Sequence, residues 1–212
     1  MNETQSSPWR EIPLADYERH MSAASVAQSA MLADTLRQLV LANRPKSLAL
    51  LGSAGGNGLE CLDPATTQRV VAVDVNAAYL EACCARHSAR FDKFETVHCD
   101  LSDGLPFSDP VELVYAALVV EYLKLDSFLD YASSLVTHGG RIAFVFQNRD
   151  ARDSPVTNSG VLSVQALGQA HSPVDVAKVM DVLQSRGMVV EERRVVASAP
   201  GKLFTLLVME KQ

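Results

Sequence analysis

What this sequence has little of narrows its function first. No apolar run approaches the roughly 20 residues that a membrane helix needs, and the polar start, Met1 to Pro13, has no signal-peptide core. The expected location is therefore the cytoplasm, with no membrane contact. Positive charge is scarce: 19 Lys and Arg stand against 25 Asp and Glu, a net charge of −6. That balance argues against a nucleic-acid-binding surface. Only four cysteines occur, Cys61, Cys83, Cys84 and Cys99, and their spacing matches no metal-ligand pattern. They read as reduced thiols in or near the core, and no metal is expected. A G-x-S-x-G elbow and paired histidines at fixed spacing are also missing, which excludes the usual nucleophilic triads. No repeat or low-complexity segment appears.

What remains is a 48% apolar chain of 212 residues, enough for one domain with a sizeable core. Residues 1–13 read as a loose arm. Asp16 to about Asn43 favours helix, interrupted near Ser22 to Ser25, with Ser25 as a candidate N-cap; Arg44-Pro45 stops it. Strands are predicted at 47–52, 69–74, 94–98, 111–117 and 140–147. Helices are predicted at about 56–63, 76–88, 125–137 and 173–186. Asn76 and Asp126 are candidate N-caps, and Gly139 and Gly187 fall just past helix ends.

This alternation specifies parallel strands joined by right-handed crossovers, with helices on both faces. The ending differs. Met188 to Val196, the turn Ala199-Pro200-Gly201 and Leu203 to Met209 form a hairpin, so the last strand runs antiparallel. The expected fold is α/β: a doubly wound, Rossmann-like, seven-stranded sheet, mostly parallel, ending in an antiparallel hairpin. Residues 1–45 supply an arm and lid helices; residues 46–212 form the core.

The richest segment is Leu48-Ala49-Leu50-Leu51-Gly52-Ser53-Ala54-Gly55-Gly56-Asn57-Gly58. An apolar strand runs into a turn of small residues, which lets backbone approach a ligand closely. About 20 residues beyond Gly52, Asp74 closes the next strand, where an acid can accept from both ribose hydroxyls. The dinucleotide pattern G-x-G-x-x-G fails at Ala54 and Asn57. The pattern G-x-G-x-G fails only at Ala54, by one methyl group.

In this motif, and in its terminal hairpin, the chain resembles the class I S-adenosylmethionine-dependent methyltransferases over roughly residues 14 to 210. The resemblance implies S-adenosylmethionine as cofactor. Gly52, Ser53, Ala54, Gly56 and Gly58 would pass under its amino-acid tail and ribose, with Asp74 and Val75 at the ribose. At His98-Cys99-Asp100-Leu101 the resemblance assigns Asp100 to the adenine amino group and Leu101 to the ring; the alternative is that Asp100 starts a turn through Gly104. The fourth strand aligns with the family motif from Glu112 through Ala116 and Ala117, but lacks the N-P-P-Y-like sequence of many amino-methyltransferases. Many members carry an acid two residues before the first glycine, for the cofactor's ammonium. This chain has Leu50 there, leaving backbone carbonyls such as those of Gly52 and Ala116.

Tyr17 reads as a lid contact with the cofactor, or as core on an amphipathic helix. Leu118 would lie over the cofactor, and Glu121 and Tyr122 face the acceptor or begin a solvated helix. His20, Glu121 and His171 are the candidate bases. The acidic charge and the compact chain point to a small-molecule acceptor and to a monomer or homodimer. Two alternatives stand beside this reading: a non-catalytic methyltransferase-like module that binds cofactor or a partner, and an NAD(P)-dependent reductase.

Overall fold

A computed structural model of the chain describes residues 7–104, 106, 109–148 and 154–212. In chain order the elements are α1 (Leu14–Ser22), α2 (Gln28–Asn43), β1 (Ser47–Leu51), β2 (Arg69–Asp74), α3 (Ala77–His87), β3 (Lys93–His98), β4 (Val111–Ala117), α4 (Leu125–Ser134), β5 (Val136–Gln147), α5 (Leu167–Ala170), α6 (Val176–Gln184), β6 (Met188–Ala197) and β7 (Leu203–Lys211). The sheet order is β3-β2-β1-β4-β5-β7-β6. Strands β1 to β5 pair in parallel, and β7 runs antiparallel to both β5 and β6. The expected fold class is the one observed.

Alternation along each strand fills two apolar layers, because successive side chains leave opposite faces of a sheet. Ala49, Leu51, Val71, Val73, Val114 and Phe144 face α4 and α6, through Phe128, Leu129, Val179 and Leu183. Leu48, Leu50, Val70, Ala72 and Leu113 face α2 and α3, through Leu36, Leu39, Leu80 and Cys83. Leu50 is only 5% exposed within this second layer. A leucine at the position of the family's acid thus completes the packing beneath α2 and offers the site no carboxylate.

The strand order reverses between β1 and β4, and a crevice outside the strand ends at such a switch point is where doubly wound sheets bind ligands. The turn after β1 and the segment after β4 meet there.

Several local expectations change. No α-helix follows the glycine turn; Leu59–Cys61 is a single 3-10 turn. Gly56 and Gly58 take φ of 86° and 93°, which a helix cannot contain. Helix α2 is preceded by Ala27 at φ 49° rather than capped by Ser25. Helix α4 starts at Leu125 after Lys124, so Asp126 sits in its first turn, where a carboxylate favours the helix dipole. Gly139 lies inside β5, which begins at Val136. Asn76 does cap α3, accepting from the N–H of Ala78 at 3.1 Å and of Tyr79 at 3.4 Å. Asp175 caps α6. Of the cysteines, Cys83 is buried, Cys84 and Cys99 are half-buried, and Cys61 is exposed.

The N-terminal arm, from residue 7 onward, is not loose. Ile12 is buried, with Val156, Val161, Val164 and Leu167 of the segment after β5, and Trp9 and Tyr17 pack against them. The Tyr79 hydroxyl donates to the Ile12 carbonyl at 2.9 Å. The remainder of the arm (1–6) and residues 149–153, just after β5, lie outside the described residues. Removing residues 1–21 therefore costs stability as well as function. Ile12 and Met21 alone represent about 3–6 kcal/mol of buried apolar side chain, and calorimetric melting of the truncated chain should show a clear drop.

Candidate active site

The turn after β1 is held by the end of β2. The N–H groups of Gly52 and Ser53 both donate to the Val73 carbonyl at 2.9 Å. Ala54 N–H donates to Asp74 Oδ2 at 2.8 Å, and Asn76 N–H donates to Asp74 Oδ1 at 2.9 Å. Asp74 is 6% exposed. Burial pushes its carboxyl up from the ordinary range, against the pull of the N–H groups of Asn76, Ala54 and Val75 and of nearby His98. A carboxylate has about four acceptor positions, so the N–H groups of Ala54, Asn76 and Val75 still leave it room to accept from a ligand.

The turn's shape needs its small residues. Gly52 has φ 72°, and a Cβ there would stand 2.9 Å from Val119 Cγ2. A Cβ on Gly56, at φ 86°, would stand 2.8 Å from Cys83 Sγ. Ala54 takes φ 44°, the left-handed region that an L side chain enters at a cost of about 1–2 kcal/mol. Gly52→Val should therefore abolish ligand binding at this turn and lower the melting temperature, through both the forced φ and the collision with Val119. A Gly52→Val chain that melts and binds S-adenosylhomocysteine like the wild type would contradict this geometry.

At the ends of β2 and β3 the N-terminal arm lies across the sheet edge. Asn76 Nδ2 donates to the Trp9 carbonyl at 2.9 Å. The Arg10 guanidinium stands 3.6 Å from Asp100 Oδ2, while Asp100 Oδ1 accepts from Ser102 N–H at 3.0 Å. Asp100 therefore does start a turn, and its second oxygen faces a cation. Leu101 is buried in the α4–α6 layer, as is Ala116, which pairs with Leu51 and Phe144. Val75 is half-buried, and its carbonyl meets His98 Nε2 at 3.0 Å.

Beside the turn, a cavity brings together residues far apart in the chain: Trp9, Tyr17, His20 and Met21 from the N-terminal segment, Leu118, Glu121 and Tyr122 from the segment after β4, and His171 after α5. All three candidate bases and Tyr17 line it. Leu118 holds a left-handed backbone at φ 55°, and such strain collects at functional sites. Tyr17 joins the two halves of the site. Burial, with the Asp74 charge second, pushes its hydroxyl well above the ordinary tyrosine range, so it stays protonated.

Glu121 does not begin a solvated helix. It lies in the 3-10 turn Val120–Tyr122 and is 2% exposed. Its Oε1 accepts from Gln147 N–H at 2.8 Å, and its Oε2 has no partner among the described residues. Burial lifts its carboxyl to about 7, with the backbone N–H groups of Gln147 and of Glu121 itself opposing. His20 Nδ1 meets Ser159 Oγ at 2.7 Å. His20 and His171 are both shifted down by burial and then by the Lys202 charge, so both imidazoles are neutral near pH 7. Trp9 Nε1 and His171 Nε2 are buried without partners among the described residues. Ser53 Oγ, in the glycine turn, is likewise buried and unpartnered.

Sequence reasoning missed the second role of Asn76, which caps α3 with its oxygen and holds Trp9 with its nitrogen. It also missed Arg10 facing Asp100 and Ser159 holding His20. An asparagine cap with a spare N–H₂ is a visible signal; the other two pairings join distant segments and leave no local trace.

No family model and no curated protein matches this sequence. Solved structures do match. Magnesium protoporphyrin IX methyltransferase from Synechocystis PCC 6803, with bound SAM, superposes with a TM-score of 0.73 at 9% identity, covering 100% of each chain. The chain has the class I methyltransferase fold. The N-methyltransferase NodS from Bradyrhizobium japonicum WM9, in complex with S-adenosyl-L-homocysteine, gives 0.66 at 15% identity over 93% of this chain and 97% of that one. The [4+2]-cyclase SpnF gives 0.62 at 11% identity over 84% and 81%. At these identities the likeness is one of fold, and the methyltransferase fold carries more than one chemistry.

Proposed function

We propose that this chain is an S-adenosylmethionine-dependent methyltransferase acting on a small-molecule acceptor. The observation that carries the proposal is the glycine turn clamped to Asp74 at the switch point, beside a cavity whose Trp9, Glu121 and His171 carry polar atoms without partners among the described residues. The residues fit the cofactor. Asp74 keeps acceptor capacity for a ribose hydroxyl, Ser53 offers a buried hydroxyl, and the glycines keep side chains away from the turn. Gly52, Ser53, Ala54, Gly56, Gly58, Asp74 and Val75 would hold the tail and ribose. Asp100 and Leu101 would bound the adenine once Arg10 moves aside, Ala116 would lend its carbonyl, and Tyr17 would cover the whole.

When bound, S-adenosylmethionine supplies a methyl group activated by its sulfonium. The chain's residues do the rest. The N-terminal arm and the segment after β5 close over the cavity and exclude water. Tyr17 and Trp9 orient the acceptor. Glu121 Oε2 can take a proton from it, because a carboxyl near 7 is matched to general-base work at neutral pH. Aligning the acceptor is the larger contribution, since proximity supplies much of the barrier reduction in such displacements.

A second reading has support of its own. Leu50 packed in the core, the Ala54 methyl and Arg10 across Asp100 favour a methyltransferase-like module that no longer transfers methyl groups. A nicotinamide-dependent reductase is disfavoured by the β6–β7 hairpin and the glycine spacing. We further propose a cytoplasmic protein, monomeric or homodimeric, without a nucleic-acid partner; among the described residues no helix is long and apolar enough to cross a membrane. A screen with methyl-labelled S-adenosylmethionine against metabolite pools, nucleic acids and protein extracts tests the function. Label should enter only the small-molecule fraction. Label in nucleic acid or protein would overturn the acceptor class, and no transfer to any pool would favour the non-catalytic module.

A further inference from the structure

We infer that the cavity beside the glycine turn binds a small protonated amine, with the Glu121 carboxylate as the partner of its ammonium group. The inference rests on the methyltransferase reading for its purpose, since the amine would be the acceptor, but on separate observations for its content.

The first observation is an unpaired acid. Glu121 is 2% exposed, and its Oε2 has no hydrogen-bond partner among the described residues. A buried carboxylate without a partner is costly, and a ligand cation removes that cost. A neutral alcohol or phenol would supply one hydrogen bond and leave the charge unpaired.

The second is the wall around it. Trp9 and Tyr122 meet edge to face with centroids 5.1 Å apart, Trp9 and Tyr17 at 5.5 Å, and Tyr122 and His171 at 5.7 Å. Aromatic rings next to an acid suit an ammonium group, which their π-electrons attract. One charge of the same wall opposes it, the Lys202 ammonium that acts on His20 and His171; the other titratable groups do not. His20 and His171 are neutral near pH 7, and Tyr17 and Tyr122 keep their protons. The Lys202 ammonium is engaged by the Pro155 carbonyl at 3.1 Å and by Thr157 Oγ1 at 3.4 Å.

The third concerns the rest of the ligand. Among the described residues, Trp9 Nε1–H is a buried donor without an acceptor, and His171 Nε2 is also unsatisfied. An amine that also carries an oxygen could satisfy the indole. Once bound, the ammonium passes one proton to Glu121 Oε2. That leaves a neutral amine with its lone pair free and a neutral carboxylic acid, so charge and protons balance.

Trp9 is the only tryptophan of the chain, so its emission reports directly on this wall. The cavity holds about 40 Å³, which limits the probe to a very small amine. The full-length protein is titrated at pH 8 with methylammonium chloride and, separately, with methanol, its neutral analogue. Methylammonium should bind at least about tenfold more tightly, as expected for a partly desolvated cation beside a carboxylate and aromatic rings. Glu121→Gln should abolish that preference without lowering the melting temperature. Equal or tighter binding of methanol, or no response to either compound, overturns the inference; the wild-type comparison decides this even if the variant misfolds. Calorimetry with S-adenosylhomocysteine on the same wild-type protein separates the two claims. An amine preference without S-adenosylhomocysteine binding refutes the methyltransferase reading alone. S-adenosylhomocysteine binding without an amine preference refutes the amine class alone.

Discussion

Asp74→Ala should lower the melting temperature and abolish S-adenosylhomocysteine binding together. A strand-end position would spare the fold if its side chain made no contacts. The hydrogen bonds say otherwise: Asp74 receives Ala54 N–H at 2.8 Å and Asn76 N–H at 2.9 Å, and it is nearly buried. Alanine leaves both donors without a partner. Each orphaned buried donor costs about 1–3 kcal/mol, so the loss is about 2–6 kcal/mol, or roughly 5–20 °C in a chain of this size. The turn it anchors would also lose its place beneath the ligand. Loss of charge-assisted bonds to the ribose adds at least about tenfold in affinity. Asp74→Asn, which keeps an acceptor, should fall between the two in calorimetric melting and in binding. A wild-type melting temperature for Asp74→Ala would show that the carboxylate is not the anchor of the turn.

The second large effect is on pH dependence at Glu121. Burial raises its carboxyl from 4.5 to about 7. Between those values the folded chain holds a proton that the unfolded chain has released. Stability must therefore fall as pH rises through this window, and the full loss is in place above about 7. The displacement corresponds to about 3 kcal/mol. Glu121→Gln removes it while keeping an oxygen for Gln147 N–H, so the variant should gain stability relative to the wild type at pH 8 and show little gain at pH 5. Other titratable groups of the cavity do not mimic this difference. Tyr17 and Tyr122 stay protonated, and the shifts of His20 and His171 are common to both proteins. Turnover should behave in the opposite sense. The wild-type rate should rise as Glu121 ionises near pH 7, and Glu121→Gln should be slow at all pH values. Parallel melting curves of the two proteins from pH 5 to 8 would contradict the burial of an unpaired acid.

Much of this was legible in the sequence, and particular residues show why. Asp74, the glycine turn and the hairpin could be read because each is written in a few contiguous residues whose conformation has few alternatives. The helix expected after Gly56 failed for a local reason. Gly56 and Gly58 adopt positive φ, and apolar periodicity carries no information about that. Ser25 lost its capping role to an irregular turn ending at Ala27. The cavity was legible only as separate candidates. Tyr17, His20, Glu121 and His171 could be named one by one, but their meeting depends on how the N-terminal arm and the segment after β5 fold over the sheet edge. Ser163 Oγ donating to Asp16 at 2.7 Å is one of the contacts that decides it, across 147 residues of chain. Leu50 was visible as a missing acid, whereas its role beneath α2 follows from which face of β1 it occupies.

The most direct test of the central claim is calorimetric titration of the purified full-length chain with S-adenosylmethionine, S-adenosylhomocysteine and NADH. The account predicts one site for each adenosyl compound, heat that disappears in Asp74→Ala, and none from NADH. Heat from NADH, or from neither adenosyl compound, would contradict it.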